Sequence, residues 1–200
     1  MLNRVSYILL LGLLTLCAFL YINYSRQVDQ PEATFVGVDR CRVCHESARF
    51  GGQFGIWANS AHAHAAQALA GDSARAYLAA GKGNPAACLS CHTTLGRAAQ
   101  NEKEKRMLAE GVGCERCHGA GSTYADFHTM VNRSRFTSSG GVVGSLQDCY
   151  QCHARQPHQG DASVCPFQRT PFNADSAWKS IRHPIVAGAR TFDTVFKTTK

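Results

Sequence analysis

The sequence predicts a mostly α-helical chain with extensive loops and one apolar N-terminal helix. Apolar side chains recur at three- and four-residue intervals in several segments, and no segment shows the sustained alternation of a half-buried strand. The frame Cys-x-x-Cys-His occurs four times, at 41–45, 88–92, 114–118 and 149–153. These frames are called the first to fourth motifs, and the fold is expected to be organised around what they bind.

The Cys-x-x-Cys-His frame is the attachment site of a c-type haem. Two cysteines separated by two residues can each form a thioether bond with the same porphyrin, and the next residue places an imidazole under the iron. Zinc knuckles also use Cys-x-x-Cys pairs, but they do not need a histidine after every second cysteine. The motifs therefore predict four covalently bound haem c groups, held by Cys41, Cys44, His45, Cys88, Cys91, His92, Cys114, Cys117, His118, Cys149, Cys152 and His153.

The charge of the chain fits haem binding better than nucleic-acid binding. The formal net charge is +7, but four haems bring two propionates each, roughly −8 in total before the iron charge is counted. The holoprotein is then close to neutral, and no nucleic-acid partner is predicted. Because four macrocycles share one short chain, they are expected to form much of the core, and the many small residues allow close approach to them.

Residues 1–24 are predicted to be a membrane anchor or signal segment, residues 25–38 a linker, and residues 39–200 a tetrahaem cytochrome c domain. Arg4 gives a basic start, and 18 uncharged residues follow from Val5 to Ile22, close to the ~20 that span a bilayer. A cleaved signal peptide is the alternative, but the run lacks an Ala-x-Ala end. The sequence therefore favours one uncleaved transmembrane helix with its N-terminus inside.

The cysteine count indicates the compartment. Of ten cysteines, eight belong to the motifs, which leaves Cys17 and Cys165 near opposite ends of the chain, so a disulfide between them is not expected. Thioether attachment requires reduced cysteines and reduced haem on the outer side of the cytoplasmic membrane. The domain is therefore predicted to be periplasmic, anchored by its N-terminal helix or, alternatively, secreted after signal cleavage.

Helix periodicity and capping residues predict the remaining elements. The apolar spacing predicts a single helix that Gly71 ends, followed by a shorter one with Asp72 as its N-cap and Gly81 just past its end. A charged helix ends at Gly111, and its Met107 is expected to pack rather than to bind iron. The four predicted helices are Gln53–Ala70, Asp72–Ala80, Ala98–Glu110 and Asn173–Ile181.

The second axial ligand fixes the spin state and potential of each haem. Each motif histidine supplies one ligand, and at least three irons need another. Methionine ligation by Met107 or Met130 is the less favoured choice. The candidate axial ligands outside the motifs are His62, His64, His128, His158 and His183.

Three stretches carry a family resemblance. Residues 111–121, Gly-Val-Gly-Cys-Glu-Arg-Cys-His-Gly-Ala-Gly, are followed by His128 and resemble the third haem segment of the cytochrome c-554 family. Residues 57–65 resemble its Trp-x-x-(Ser/Thr)-Ala-His-Ala-x-Ala stretch, and residues 170–172 its Thr-Pro-Phe turn. The family includes the tetrahaem electron acceptor of hydroxylamine oxidoreductase in ammonia oxidisers. The resemblance spans about residues 35–185 in the same motif order.

The resemblance implies a crossed ligation scheme and closely stacked haems. The haem on His92 would lack a distal protein ligand. The chain departs from the family in its apparent anchor, His64, His158 and Cys165, and any of the last three is a candidate for that open position. The implied pairs are His128 with His45, His183 with His118, and His62 with His153.

Three functions compete. The favoured one is a membrane-anchored periplasmic electron carrier between redox proteins, with a hydroxylamine oxidoreductase-like donor or a membrane quinol-linked cytochrome as possible partners. The first alternative is an enzyme that reduces a small nitrogen oxide at an open iron on the His92 haem. The second is a subunit of a polymeric cytochrome filament, in which a surplus histidine caps a haem of the neighbouring subunit.

Overall fold

The computed structural model describes residues 4–28, 32–153, 165, 167 and 172–183. These residues form helices and loops without a β-strand, as the sequence predicts. Short 3₁₀ helices occupy Ala48–Phe50, Ala61–His64 and Gly121–Thr123. The α-helices are α1 (Arg4–Val28), α2 (Val38–His45), α3 (Gln53–Ala58), α4 (Ala65–Leu69), α5 (Asp72–Ala79), α6 (Pro85–His92), α7 (Glu102–Ala109), α8 (Glu115–His118), α9 (Phe127–Met130), α10 (Arg133–Ser138), α11 (Leu146–His153) and α12 (Ala174–Ile181).

Two compact units divide the chain, Met1–Glu32 and Ala33–Lys200. The first unit contains α1, a helix of 25 residues. In the ranges that the structure describes, no helix combines the length and the hydropathy needed to cross a membrane. The transmembrane helix expected from the sequence is therefore not supported by the structure.

Residues 111–113, just before the third motif, form the central segment of the second unit. The N–H of Val112 donates to the carbonyl of His62 at 2.9 Å, and the Trp57 indole donates to the carbonyl of Val112 at 2.8 Å. On the other side, the N–H of Thr94 donates to the carbonyl of Gly111 at 2.8 Å. The central segment thereby joins the chain before α4 to the chain after the second motif.

Gly111 has no room for a side chain. Its φ is +71°, and a Cβ atom at this position would lie 2.5 Å from the carbonyl oxygen of His62. Only glycine combines this left-handed conformation with such close backbone approach at low cost. The glycine therefore determines how near the segment carrying His62 lies to the third motif.

Glu115, inside the third motif, forms hydrogen bonds with the extended segment that precedes α2. Its side chain is buried, and its carboxylate accepts N–H bonds from Val36, Gly37 and Gly121 at 2.6–3.1 Å. A carboxylate with several backbone donors is well compensated for its burial. The first and third motifs are consequently held close together.

The helix predicted over Gln53–Ala70 is divided into three pieces in the structure. Ser60 adopts an extended conformation, φ −93° and ψ 160°, and its hydroxyl accepts the N–H of His62. A serine that bonds to the backbone two residues ahead offers an alternative to the continuous helix. The prediction of one helix was wrong because apolar spacing does not reveal such a cap.

The other predicted helices agree with the structure apart from their ends. Helix α5 has Gly71, rather than Asp72, as its N-cap, and α7 begins only after Asn101, whose side chain accepts the N–H of Glu104. Asn173 caps α12 in the same way. Met107 is 2% exposed, which confirms that it packs in the protein interior.

Few apolar side chains are buried by the protein alone. Among the described residues the buried hydrophobic side chains are Val38, Leu95, Met107, Val112 and Tyr124. A domain of this size usually buries well over half of the surface that its unfolded chain exposes. The side chains of the second unit therefore supply only part of the core that the fold requires.

Candidate haem sites

Each motif forms the C-terminal end of a short helix, and its histidine is the last helical residue. Helices α2, α6, α8 and α11 end at His45, His92, His118 and His153. Residues three apart in a helix lie on the same face, so the two cysteine sulfurs of a motif lie on one side. Each helix end thus presents two sulfurs and an imidazole together, as attachment to one porphyrin requires.

The histidines of the first three motifs are oriented through Nδ1. Their hydrogen-bond partners are, in order, Gln53 Oε1 at 3.1 Å, the Ala65 carbonyl at 2.8 Å and the Val142 carbonyl at 2.8 Å. An oxygen acceptor at Nδ1 favours the tautomer that carries its proton there. The lone pair then remains on Nε2 for a metal ion, an arrangement commonly found in metal-binding histidines.

His62 lies opposite the histidine of the fourth motif. The ring centroids of His62 and His153 are 6.1 Å apart, with 43° between the ring planes. Phe172 stacks on His153, with ring centroids 4.2 Å apart. Burial lowers the pKa of both imidazoles, and the charge of His153 lowers that of His62 further. Both rings therefore favour the neutral form, which is the form that binds metals.

His183 lies opposite the histidine of the third motif. It follows α12 by two residues, and its ring centroid is 5.7 Å from that of His118. Desolvation lowers the pKa of His183, followed by the charges of His118 and His45. His183 is thus near the histidines of both the first and the third motifs.

Both ring separations fit one metal ion between the two imidazoles. A metal–imidazole nitrogen bond is about 2 Å long and the ring centroid lies about 1 Å farther back, so two rings on one ion have centroids about 6 Å apart. The observed values are 6.1 and 5.7 Å. The paired histidines therefore suit a six-coordinate haem iron.

The second unit also has an open groove of ≈ 640 Å³, lined by Gly52 and Gly55 near α3, by Asn59 and Ser60 before His62, and by Ser180 of α12. None of these residues belongs to a motif. The fit to haem rests instead on the cysteine pairs and histidines at the helix ends and on the two facing imidazoles.

A zinc site receives no support. Among residues 4–28, 32–153 and 172–183, no three His, Cys, Asp or Glu side chains converge as ligands of a metal ion. A structural zinc site needs four such ligands in a tetrahedron.

The position of His128 differs from the two facing pairs. His128 is exposed on α9, and its ring centroid lies 6.0 Å from that of Phe127. Within the described part of the chain, no ring contact joins His128 to His45. The pairing of these two histidines, implied by the family resemblance, therefore stays a prediction.

The surplus residues fall at different places. His64 is exposed and precedes Ala65, whose carbonyl accepts from Nδ1 of His92. The role of His64 as a sixth ligand of the His92 haem stays a prediction. His158 lies outside the described residues.

The two cysteines outside the motifs are both exposed. The pKa of Cys88 is raised by burial and then by the charge of Cys165, which places Cys165 near the second motif. Cys17 lies in α1 of the first unit. Neither cysteine is paired in a disulfide.

Attachment sulfurs of different motifs lie close enough to shift one another's pKa. Cys114, followed by burial, raises the pKa of Cys41, which places the first and third motifs side by side. Cys91, followed by burial, raises the pKa of Cys152, which places the second and fourth motifs side by side. The four motifs are therefore arranged as two pairs.

Helix ends with paired cysteines, oriented histidines and two facing imidazoles define a c-type cytochrome. Residues 40–119, which hold the first three motifs, match the family described as Cytochrome c554 and c-prime. A curated cytochrome c-554 from Nitrosomonas europaea is 31% identical over 133 residues, covering 62% of this chain and 54% of the relative. No solved structure matches the chain.

Over residues 40–119 the chain is similar to the cytochrome c-554 family. This similarity supports covalently bound haem c. The chain spans about half the length of the curated relative that it matches. The matched residues include His62, a candidate distal ligand, and the third motif. The third motif is also the stretch that most resembles the family in the sequence.

Several contributors to the sites were missed by sequence reasoning. Gln53 and the carbonyls of Ala65 and Val142 orient the motif histidines. Backbone acceptors have no sequence signature, because every residue carries one. Gln53 offered a weak signal, since it is a polar side chain eight residues after His45 at the start of a predicted helix.

Proposed function

We propose that this protein is an extracytoplasmic tetrahaem cytochrome that carries electrons between redox proteins. The observation that carries the proposal is the set of four helix-end motifs, two of which have a second imidazole about 6 Å away. Paired imidazoles keep an iron six-coordinate, which suits electron transfer because no substrate has to reach the metal.

The bound haem supplies reversible one-electron chemistry at iron. The chain's own residues determine where the haems are and which ligands they receive. The eight motif cysteines anchor them, the motif histidines bind from one side, and the distal ligands are assigned to His62, His128 and His183. Contacts at 6.1 and 5.7 Å support the assignments of His62 and His183, while that of His128 rests on the family resemblance.

The contacts between motifs support a continuous route for electrons. The first and third motifs meet at Cys41 and Cys114, and the second and fourth meet at Cys91 and Cys152. Cys149 and Asp148 contribute charge at Cys117, so the third and fourth motifs are also neighbours. The proposed order is first, third, fourth and second.

The proposed location is the outer side of the cytoplasmic membrane, because haem attachment takes place there. Attachment by residues 1–24 belongs to the same proposal and rests on the sequence alone, which has no charge from Val5 to Ile22. Fractionation of cells that produce the full chain tests it. Retention in membranes after a carbonate wash supports an anchor, and recovery of a shortened soluble chain supports signal cleavage.

The proposed partners are other redox proteins, with a hydroxylamine oxidoreductase-like donor or a quinol-linked membrane cytochrome as the first to test. The purified holoprotein is mixed with each reduced candidate, and haem reduction is followed by stopped-flow absorbance. Rapid reduction of all four haems is expected. A haem content below four per chain by mass, or haems that no protein partner reduces, would contradict the proposal.

A second candidate function concerns the haem on His92. His62 and His183 face other motifs, which leaves the haem on His92 without either of them as a distal ligand. An open iron there would bind nitric oxide, nitrite or hydroxylamine. Electron paramagnetic resonance of the ferric protein distinguishes the two functions, because one high-spin haem that responds to nitric oxide favours the enzyme, and four low-spin haems favour a carrier alone.

A further inference from the structure

Arg116 of the third motif lies near the second and fourth motifs. One guanidinium nitrogen, Nη2, donates to the carbonyl of Ser90 in the second motif at 2.9 Å. Cys91 and burial raise the pKa of Cys152 in the fourth motif, and the Arg116 charge lowers it. The guanidinium therefore lies where the second and fourth motifs approach each other.

No carboxylate neutralises Arg116 among the residues that the structure describes. The ion pairs found there involve four other cations, and the half-buried Arg116 is not among them. Gly96 lies on its other side, where a Cβ atom would approach Nη1 to 3.2 Å. Since arginine stays protonated at any pH that proteins tolerate, a permanent positive charge occupies this position.

Two carboxylates lie beside the first and third motifs, while Asp148 adds a negative charge near Cys117 and Cys149, between the third and fourth motifs. Glu115 is 4% exposed and Glu110 is half-buried. Both raise the pKa of Cys41, after Cys114 and burial. Glu110 accepts the N–H of Val38, and Glu115 accepts that of Gly37. Both glutamates therefore lie near the sulfur pair formed by Cys41 and Cys114.

We propose that these opposite charges give the two haem pairs different reduction potentials and thereby direct electrons from the first and third motifs to the second and fourth. A nearby cation stabilises an added electron and a nearby carboxylate opposes it, and both effects are strong where water is excluded. In each step one electron leaves the iron of the lower-potential pair and one ferric iron of the higher-potential pair gains it, without a proton or co-reactant. This inference rests on the proposed function as an electron carrier.

The test is a spectroelectrochemical titration of the holoprotein with Arg116→Gln. Four interacting haems give four macroscopic midpoint potentials, and the variant should lower the two highest more than the two lowest. Arg116→Lys keeps the charge and should restore most of the shift. Arg75→Gln is the matched control, because Arg75 is 65% exposed and pairs with Asp72 on the surface, so all four potentials should stay unchanged.

A second variant tests the inference in case Arg116→Gln does not attach its haems. Glu110→Gln removes a half-buried charge and should raise the two lowest potentials more than the two highest. The inference is overturned if either variant, with all four haems attached, shifts the opposite pair or no potential at all. It is also overturned if Arg116→Lys behaves like Arg116→Gln, because hydrogen bonding rather than charge would then be responsible.

The same experiment separates this inference from the proposed function. Wild-type protein whose four haems titrate reversibly and accept electrons from a protein donor is a carrier, whatever the variants do. If the variants then shifted all four midpoint potentials equally, only the proposed direction of electron flow would be overturned. Wild-type haems that exchange no electrons with any protein donor would contradict the carrier itself.

Discussion

His62 and His183 each face a motif histidine, but different parts of the fold hold them in place. His62 is fixed by the backbone, because its carbonyl accepts the N–H of Val112 at 2.9 Å within the central segment of the second unit. His183 follows the short helix α12, whose cap is Asn173. Similar ring separations, 6.1 and 5.7 Å, thus arise from a core contact in one case and from the last described helix in the other.

From this comparison we expect the order of α12 to depend more on ligand binding by His183 than the order of the segment around His62 depends on ligand binding by His62. A ligand held by backbone bonds should stay positioned without its metal. A ligand that follows the last described helix should depend on the metal bond for its order. Substitutions of these ligands and of the residues that hold them test this difference.

Gly111→Ala should have the largest effect. A left-handed φ costs about 1–2 kcal/mol for alanine, and overpacking against the His62 carbonyl adds about 1–3 kcal/mol. We expect a marked fall in Tm and conversion of the haem on His153 to high spin. Gly81→Ala is the control, because Gly81 has a φ of +68° but nothing within 4 Å of the added Cβ.

Thermal unfolding and electron paramagnetic resonance are measured on the Gly111→Ala and Gly81→Ala holoproteins at equal haem content. Gly81→Ala should lose only about 1–2 kcal/mol and keep its spin states, since it adds backbone strain without a clash. Equal losses in both variants would show that the close approach at Gly111 does not position His62.

His62→Ala and His183→Ala should each convert one low-spin haem to high spin while all four haems stay attached. The reason is that each change removes a distal ligand and leaves the motif cysteines intact. Hydrogen exchange should then separate the variants. Residues 61–69 should remain protected in His62→Ala, whereas α12 should exchange faster in His183→Ala.

Two results would contradict the roles assigned to His62 and His183. Unchanged spin states in either variant would remove that histidine from the ligand set. Equal loss of amide protection around the replaced histidine in both variants would mean that the backbone contact of His62 contributes no more than the cap of α12.

Asn173→Ala should destabilise α12 by about 1 kcal/mol, because its side chain accepts the N–H of Ser176 as an N-cap. The expected result is faster hydrogen exchange in α12 with an unchanged haem on His153. Asn84→Ala, which removes the equivalent cap of α6, is the matched control. An equal response of α12 to both variants would contradict a local role.

Trp57→Phe should have the smallest effect. It removes the indole N–H that donates to the Val112 carbonyl at 2.8 Å, which costs about 1 kcal/mol for a single hydrogen bond. Chemical denaturation should show this loss without a change in spin state. Phe54→Leu, a change in the neighbouring aromatic ring, controls for packing, and equal results for both would assign the effect of Trp57 to packing alone.

Sequence patterns predicted those features that depend on spacing along the chain. The motifs, the start of α12 next to Asn173 and the packing of Met107 are of this kind. The break at Ser60 was missed, because a serine that caps the backbone locally does not disturb the apolar repeat. The late start of α7 at Asn101 was missed for a related reason, since charged residues continue upstream of the cap.

The site was predictable where chemistry requires particular residue types and unpredictable where the fold supplies a backbone group. Attachment needs cysteine and histidine, so the motifs are visible in any sequence that contains them. The pairings of His62 and His183 came from the family resemblance and not from spacing. The hydrogen-bond acceptors of His92 and His118 are the carbonyls of Ala65 and Val142. The residue types alanine and valine do not predict these contacts.

The small interior described above has a consequence for how the cell produces this protein. A polypeptide that buries so few of its own apolar side chains has little reason to fold before its cofactors arrive, much as zinc fingers stay unfolded without metal. In the proposed extracytoplasmic location, haem attachment would follow export of an extended chain. Thioether closure makes this attachment irreversible, and copies that miss their haem would stay open to proteases. We expect the steady-state amount of the protein to follow the supply of haem to the cell envelope.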